Sequence, residues 1–382
     1  MTSKCIGLAL SGGGYRALVF HLGVLARLAS DNLLEEVSFI STVSGGSLAT
    51  ALIYASNDYR WPSSRVYIDE IVPEIRRFLP RHNLVREIKT LLFRSPSTWL
   101  RRGGNKLAAL LSSTWGIQAS MQAIADHPRW VINATCYETA KNWRVMSRRM
   151  GDYEFGYVMN PEVPLAQAVA ASAAHPLIGP VTINTAQFQW EAYVTGSNTD
   201  TRSIEPKYKK VSLWDGAVYD NSGDEALIKS NSQLREGVDF LIVSDASAPI
   251  KEPKYWLGYP SARRMYDITA NRAQSLQTRS TMDFLVNQPT KGRYFKLGNH
   301  AEYILDRARK SSDIASLCPQ TLPKDRIDEV RSIETEDTSM TIEKFDLIFR
   351  HGYEIADLTL YAHGSEDDGY EFKGYASLYQ QR

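Results

Sequence analysis

The hydrophobic pattern of the first 56 residues predicts two strand–turn–helix units in succession. A short apolar run at 5–10 leads into a glycine-rich turn, and the segment after it has the spacing of apolar positions typical of a helix. The second unit has an apolar run at 37–43, a turn with two glycines and then a helix-forming segment. Because such units favour a parallel sheet, both turns should lie along the edge where ligands bind.

The rest of the chain alternates predicted helices and strands. Residues 57–126 have helical spacing, and eleven Lys or Arg against four Asp or Glu between Arg60 and Lys106 give a local net charge of about +7. We interpret this region as a basic helical insertion that caps a site, lies on anionic lipid or simply faces water. Further elements are expected in this order: strands at 130–137 and 143–147, a helix at 164–176, strands at 208–214 and 238–245, a helix at 259–285, an irregular segment at 306–340 and a closing helix at 341–360.

Composition is that of an ordinary globular protein. The 382 residues are 43% hydrophobic, enough for one large domain or two. Lys plus Arg number 44 and Asp plus Glu 43, so the net charge of +1 gives no reason to expect a nucleic-acid partner. Three cysteines without a C-x-x-C pair suit a reducing compartment and disfavour a zinc site. With neither a signal-peptide pattern nor an apolar run of about 18 residues, we expect a cytoplasmic protein that meets membranes only peripherally.

A candidate nucleophile and a candidate base each stand at a predicted strand end. Ser44 follows the second strand in a turn that resembles the nucleophile elbow G-x-S-x-G, with Gly46 at the last position and Thr42 in place of the first glycine. A serine hydroxyl needs a neighbouring group to take its proton. Asp215 ends the predicted strand at 208–214 and offers a carboxylate for that role.

The first turn offers a candidate anion site. Gly12, Gly13 and Gly14 leave main-chain amides uncovered at the start of a helix, which suits a phosphate or a developing oxyanion. Arg16 follows in the first helical turn, where a cation opposes the helix macrodipole. We therefore expect Arg16 to contact either an anionic substrate or an acidic neighbour.

Four motifs, in this order, resemble the patatin-like phospholipase family over most of residues 4–225: GGGYR at 12–16, the Ser44-Gly-Gly turn, ASAAHP at 171–176 and DGAVYDN at 215–221. The resemblance implies an α/β fold, namely a three-layer sandwich with a central, mostly parallel sheet and a helical cap insertion. It also implies a Ser44–Asp215 dyad, with the amides of Gly12 to Gly14 as the oxyanion hole. Thr42 is the departure from the family pattern that most concerns the serine turn.

Together these features predict a lipid acyl hydrolase of the phospholipase A type that works through an acyl-enzyme and needs no metal or cofactor. Its partner would be phospholipid or another acyl lipid at a membrane surface. We expect a catalytic domain at 1–300, with the cap at 57–126, and a C-terminal extension at 301–382 packed on it.

Two other interpretations stay open. His351 or His363 could complete a Ser-Asp-His triad, or the chain could be a phosphate- or lipid-binding module with weak or no catalysis. A further hypothesis, suggested by the family resemblance, is that the protein is an effector that degrades membrane phospholipids after a nucleotide second messenger activates it. The pattern does not indicate the oligomeric state.

Overall fold

The described residues form one twelve-stranded mixed sheet with helices on both faces. The computed structural model describes residues 4–84, 86–87, 90, 103–175, 178–197, 199–247, 259–334, 339–364 and 369–379. The strands are β1 (Ile6–Leu10), β2 (Val37–Thr42), β3 (Arg129–Cys136), β4 (Asn142–Val145), β5 (Arg149–Asp152), β6 (Gly156–Met159), β7 (Val181–Asn184), β8 (Trp190–Tyr193), β9 (Thr201–Ile204), β10 (Lys210–Asp215), β11 (Phe240–Asp245) and β12 (Gly292–Lys296).

The α-helices follow the predicted pattern in most places. In the described part of the chain they are α1 (Gly14–Ala29), α2 (Gly45–Ala55), α3 (Ser64–Val66), α4 (Val72–Phe78), α5 (Gly103–Ser113), α6 (Leu165–Ser172), α7 (Tyr259–Asn287), α8 (Ala301–Arg307), α9 (Ile314–Leu317), α10 (Lys324–Ser332) and α11 (Ile342–His363). None of them combines the length and apolar character needed to cross a bilayer.

The centre of the sheet is parallel, as expected. Strands β12, β11, β1, β2 and β3 are neighbours in this order, and every pair among them is parallel. Their carboxyl ends therefore share one edge, and the turns after β1 and β2 both lie there. Beyond β3 the sheet continues with antiparallel strands, beginning with β4.

Alternating side chains give the sheet two buried faces, which makes the three-layer sandwich. In β1, Leu8 and Leu10 belong to the larger core under α1, α2 and α11, whereas Ala9 belongs to the smaller core. That smaller core contains Phe284 and Leu285 of α7. The predicted fold class is confirmed.

The closing helix α11 is part of the main core. A Cβ atom on Gly23 of α1 would lie 2.0 Å from the carbonyl oxygen of Phe349, and one on Gly352 would lie 2.2 Å from that of Phe20. Glycine at both positions therefore lets the backbones of the two helices touch. The predicted C-terminal extension thus supplies a helix to the centre of the molecule.

Two segments differ from the expected pattern or fall outside it. The segment at 306–340 is not simply irregular, because it contains α9 and α10. Dense charge hides the helical signal of α10, whose buried apolar positions are Ile327 and Val330. Within the basic region at 57–126, Tyr67 and Ile75 are buried in the main core, so its described part does more than cover a site. The amphipathic run expected at 84–93 lies largely outside the described residues.

Candidate active site

Ser44 occupies a strained turn between β2 and α2. Its backbone has φ 48° and ψ −111°, a conformation that side-chain-bearing residues rarely adopt. The next two residues must be glycine, since a Cβ on Gly45 would lie 2.4 Å from the carbonyl oxygen of Gly14 and one on Gly46 2.3 Å from that of Leu10. The turn thus has the shape of a nucleophile elbow, with Gly46 packed against the end of β1.

Thr42, which replaces the first elbow glycine, contributes its hydroxyl to a buried network. Its Oγ1 accepts a hydrogen bond from Trp130 Nε1 at 2.9 Å and lies 2.8 Å from Ser47 Oγ. Ser47 Oγ lies 2.9 Å from Ser172 Oγ, which accepts the main-chain N–H of Ser44 at 2.9 Å. Through the hydrogen bond to Ser172, the network holds the backbone of Ser44 in place. Ser172 belongs to the ASAAHP motif, but its role was not predicted.

Strand β10 brings Asp215 to the serine. It runs antiparallel to β3 with Asp215 opposite Ala134, while the end of β2 pairs Thr42 with Ile132 on the same strand. Strands β2 and β10 therefore meet end to end beside β3. Ser44 Oγ donates a hydrogen bond to Asp215 Oδ2 at 2.9 Å.

Main-chain and side-chain groups hold Asp215 in place. Its N–H donates to the carbonyl of Ala174 at 3.1 Å, and its own carbonyl accepts from Thr135 Oγ1 at 2.9 Å. The first of these contacts explains why α6 ends at Ser172, before the predicted end at 176: the chain leaves the helix and presents a carbonyl to β10.

Burial makes Asp215 a better base than a solvent-exposed aspartate. The side chain is 4% exposed, and desolvation raises the pKa of Asp215 to about 6. Two hydrogen bonds act in the opposite direction, because the Ala217 N–H donates to Oδ1 at 2.9 Å and Ser44 Oγ donates to Oδ2. The carboxyl is thus ionised at neutral pH with a pKa near the range useful for general base catalysis.

The glycine loop lies beside Ser44, but its three amides are not equivalent. The N–H of Gly12, a predicted oxyanion donor, donates to the carbonyl of Asn221 at 3.0 Å in this structure. A Cβ on Gly12 would lie 3.2 Å from the Cβ of Ser44, so the loop is close to this serine. Gly13 (φ 138°) and Gly14 (φ 63°) adopt conformations that favour glycine. Their N–H groups have no acceptor among the described residues.

A buried histidine supports the glycine loop, and the sequence pattern did not indicate it. His21 Nε2 lies 2.9 Å from the carbonyl of Ser11, and Nδ1 lies 2.7 Å from Ser244 Oγ. Burial lowers the pKa of His21 to about 4, so the ring is neutral at pH 7. Because a carbonyl only accepts, Nε2 carries the proton and Nδ1 accepts from the serine hydroxyl.

Arg16 joins α1 to the residue after β11 and to the C-terminal end of α10. It is completely buried, and its guanidinium donates to the carbonyls of Ala246 at 2.9 Å, Ile333 at 2.8 Å and Arg331 at 3.3 Å. Desolvation lowers the pKa of Arg16 to about 10, and the charge of Asp245 partly offsets this. The buried Arg16 Nε has no hydrogen-bond partner among the described residues, and contact of Arg16 with an anionic substrate stays a prediction.

Neither histidine of the alternative triad has a contact with Ser44 in the described structure. His351 is buried, and its Nε2 accepts the N–H of Gly298 at 2.9 Å. Burial lowers the pKa of His351 to about 3. His363 is the exposed last residue of α11. The serine hydroxyl bonds the Asp215 carboxylate directly.

The fold and the site define an α/β protein with a serine and an aspartate paired at the carboxyl edge of its sheet. Residues 8–228, more than half of the chain, match the family model described as patatin-like phospholipase. The chain belongs to this family, and the resemblance noted in the sequence is confirmed. No curated protein matches the chain significantly.

Solved structures that resemble the chain have low sequence identity to it. Human GIVD cytosolic phospholipase A2 is 15% identical, with 64% of this chain and 46% of that one covered and a TM-score of 0.43. Its complex with methyl gamma-linolenyl fluorophosphonate gives 15% identity, 94% and 59% coverage and a TM-score of 0.46. VipD from Legionella pneumophila is 14% identical, with 94% of this chain and 67% of that one covered and a TM-score of 0.36. The chain thus spans about half to two thirds of the length of these proteins.

Proposed function

We propose that this protein is a serine lipid acyl hydrolase of the phospholipase A type. The observation that carries the proposal is the 2.9 Å hydrogen bond from Ser44 Oγ to the buried carboxylate of Asp215, in a strained turn of a patatin-like phospholipase fold. This contact gives the hydroxyl a base and a defined orientation, which nucleophilic catalysis requires.

The reaction would proceed in two halves. Asp215 Oδ2 takes the Ser44 proton as Oγ attacks the ester carbonyl, and the tetrahedral intermediate then expels the alcohol, which receives that proton. Asp215 next takes a proton from water, the hydroxide attacks the acyl-enzyme, and the fatty acid leaves as Ser44 is reprotonated. The raised pKa of Asp215 suits both proton transfers.

Oxyanion stabilisation falls to the glycine loop in this proposal. The amides of Gly13 and Gly14 are the donors, because that of Gly12 already binds Asn221. Removing one such donor typically raises the barrier by about 3–4 kcal/mol. Gly12 instead serves as the position where the absence of a Cβ lets the loop approach the serine.

The family points to a phospholipid or another acyl lipid as substrate. We place the protein in the cytoplasm, with peripheral contact to the membrane during catalysis. Activation of the protein by a nucleotide second messenger stays a hypothesis drawn from the sequence.

The test is fatty-acid release from phosphatidylglycerol vesicles by the wild type and by Ser44→Ala and Asp215→Asn. We expect both variants to lose activity by about a thousandfold or more. Ser38→Ala is the matched control. Ser38 lies on β2, the strand that leads to Ser44, and its hydroxyl donates to the Gly237 carbonyl instead of a carboxylate. Full activity in Ser44→Ala would refute the proposed nucleophile.

An inactive wild type calls for a second measurement, covalent labelling by a fluorophosphonate. Labelling that Ser44→Ala abolishes and Ser38→Ala retains supports an activated serine that still needs its proper lipid or an activator. No labelling of the folded wild type refutes the hydrolase and leaves the binding module as the interpretation.

A further inference from the structure

A polar cavity lies on the face of the sheet that α7 covers. Its volume is about 1170 Å³, and it opens between α7, the loop at 224–237 and strands β3 and β4. Arg129, Arg144 and Arg235 line it. None of these residues takes part in the proposed acyl transfer.

Strand register explains why arginines gather here. Arg129 and Asn133 are four residues apart on β3 and so point to the same face. Asn133 is opposite Arg144 on β4, and Arg144 is opposite Gly151 on β5. Arg149 lies two residues before Gly151 and shares that face. Three neighbouring strands thus direct an arginine each to one side of the sheet.

Arg235 joins them from the loop before β11. Its guanidinium lies 5.0 Å from the ring centroid of Phe39, and that of Arg129 lies 5.9 Å from the same ring. The pKa of Arg235 is lowered, first by burial and then by the positive charges of Arg144, Arg129 and Arg149. Arg235 is therefore close enough to the other three arginines to be affected by their positive charges.

The positive charge of this cluster is only partly balanced. Glu225 lies 3.2 Å from Arg144, yet the Arg144 Nε atom is buried and has no hydrogen-bond partner. In the described ranges, no carboxylate lies within 4 Å of the other three guanidinium groups. Glu236 also lines the cavity but pairs with none of them.

Asp224, the remaining acid of the cavity, is occupied elsewhere. Its Oδ1 accepts from Gln277 Nε2 at 2.7 Å, and its Oδ2 accepts from Thr281. Burial and the neighbouring Asp220 carboxylate raise the pKa of Asp224, so it offsets the arginine charge less than an exposed aspartate does. The cavity therefore carries a net positive charge that an anion would neutralise.

We propose that this arginine cavity binds a phosphate group. Guanidinium groups bind phosphate oxygens in paired hydrogen bonds, and arginines that approach from separate strands and a loop match a tetrahedral anion better than a planar carboxylate. The phosphate belongs either to a soluble phosphate compound or to an anionic lipid headgroup. The proposal does not depend on the proposed hydrolase activity.

The experiment uses the full chain carrying Ser44→Ala, so that no lipid is consumed. Inorganic phosphate is titrated by calorimetry against chloride at equal ionic strength, in this background and with Arg129→Gln, Arg235→Gln or Arg272→Gln added. Loss of a hydrogen bond to a charged group should weaken phosphate binding about tenfold in the first two variants. Arg272 is exposed on α7 and does not line the cavity, so its variant is the control for loss of one charge.

A parallel arm identifies the source of the phosphate. Sedimentation with phosphatidylglycerol vesicles, compared with phosphatidylcholine vesicles, tests the lipid headgroup. Dependence on Arg129 and Arg235 in either arm supports the site, and the arm in which it occurs names the source. Equal binding by all variants in both arms, or no binding in either, overturns the proposal. Arg129 is exposed, so its variant keeps the test valid even if Arg235→Gln fails to fold.

Discussion

The buried carboxyl of Asp215 predicts that the reactivity of Ser44 depends strongly on pH between 5 and 7. Asp215 accepts a proton only when it is ionised, and burial raises its pKa from 3.8 to about 6. Acidification below pH 6 therefore protonates the base and leaves the Ser44 hydroxyl without an acceptor. The rate of serine acylation should fall in proportion to the ionised fraction.

The size of the effect follows from that shift. With a pKa of about 6, roughly a tenth of the carboxyl is ionised at pH 5 and roughly nine tenths at pH 7, so the rate should rise about tenfold. An aspartate at the ordinary value of 3.8 is already more than about nine tenths ionised at pH 5, and the rate would then change by less than about 10%. The two cases are easily separated.

The assay is the initial rate of fluorophosphonate labelling from pH 4.5 to 8. A soluble, uncharged probe avoids changes in the lipid surface with pH, and circular dichroism at each pH confirms that the protein stays folded. Ser44→Ala gives the background of labelling at other sites. A flat profile between pH 5 and 7, with folding intact, would show that Asp215 is not the raised-pKa base of Ser44.

Three further predictions concern Asp215 and two residues of α11. Asp215→Asn should raise the free energy of unfolding at pH 8 by up to about 3 kcal/mol, measured by urea unfolding. Folding raises the pKa of Asp215 from 3.8 to about 6, so ionisation of this carboxyl makes the wild type less stable as the pH rises through that range. An asparagine does not ionise and avoids this loss. At pH 3 the gain should vanish. Gly352→Ala should destabilise by about 3 kcal/mol or more, because the new Cβ would lie 2.2 Å from the Phe20 carbonyl oxygen; an unchanged urea midpoint contradicts the tight helix crossing. His363→Ala should be labelled by fluorophosphonate at the wild-type rate, and a large loss would revive the triad.

Local features of the chain were sufficient for much of the fold and for the two central residues. Apolar spacing and turn residues predicted the two strand–turn–helix units, the long helix α7 and the closing helix α11. Ser44 and Asp215 were candidates because each follows a predicted strand and stands beside a glycine. Such signals lie within about ten neighbouring residues, where periodicity and backbone preference act.

Hydrogen-bond partners could not be predicted in the same way. The pattern offered Gly12 as an oxyanion donor but did not indicate that its amide donates to the carbonyl of Asn221. For Arg16 it offered an anionic substrate or an acidic neighbour, but not the carbonyls that α10 and the residue after it supply to the guanidinium. The pattern identified Thr42 as a departure from the elbow motif but did not indicate that Trp130 and Ser47 form hydrogen bonds with its hydroxyl.

The sequence by itself determined which residues could do chemistry and which elements would present them. The tertiary structure decided which of them meet. Strand β10 runs antiparallel to β3 at the end of β2 and so brings Asp215 to Ser44, and two strands and a loop bring three arginines to one cavity. The reason is physical. A side chain's local conformation depends on its neighbours along the chain, whereas its burial, its pKa and its bonding partner depend on groups that only the folded chain brings within a few ångströms of it.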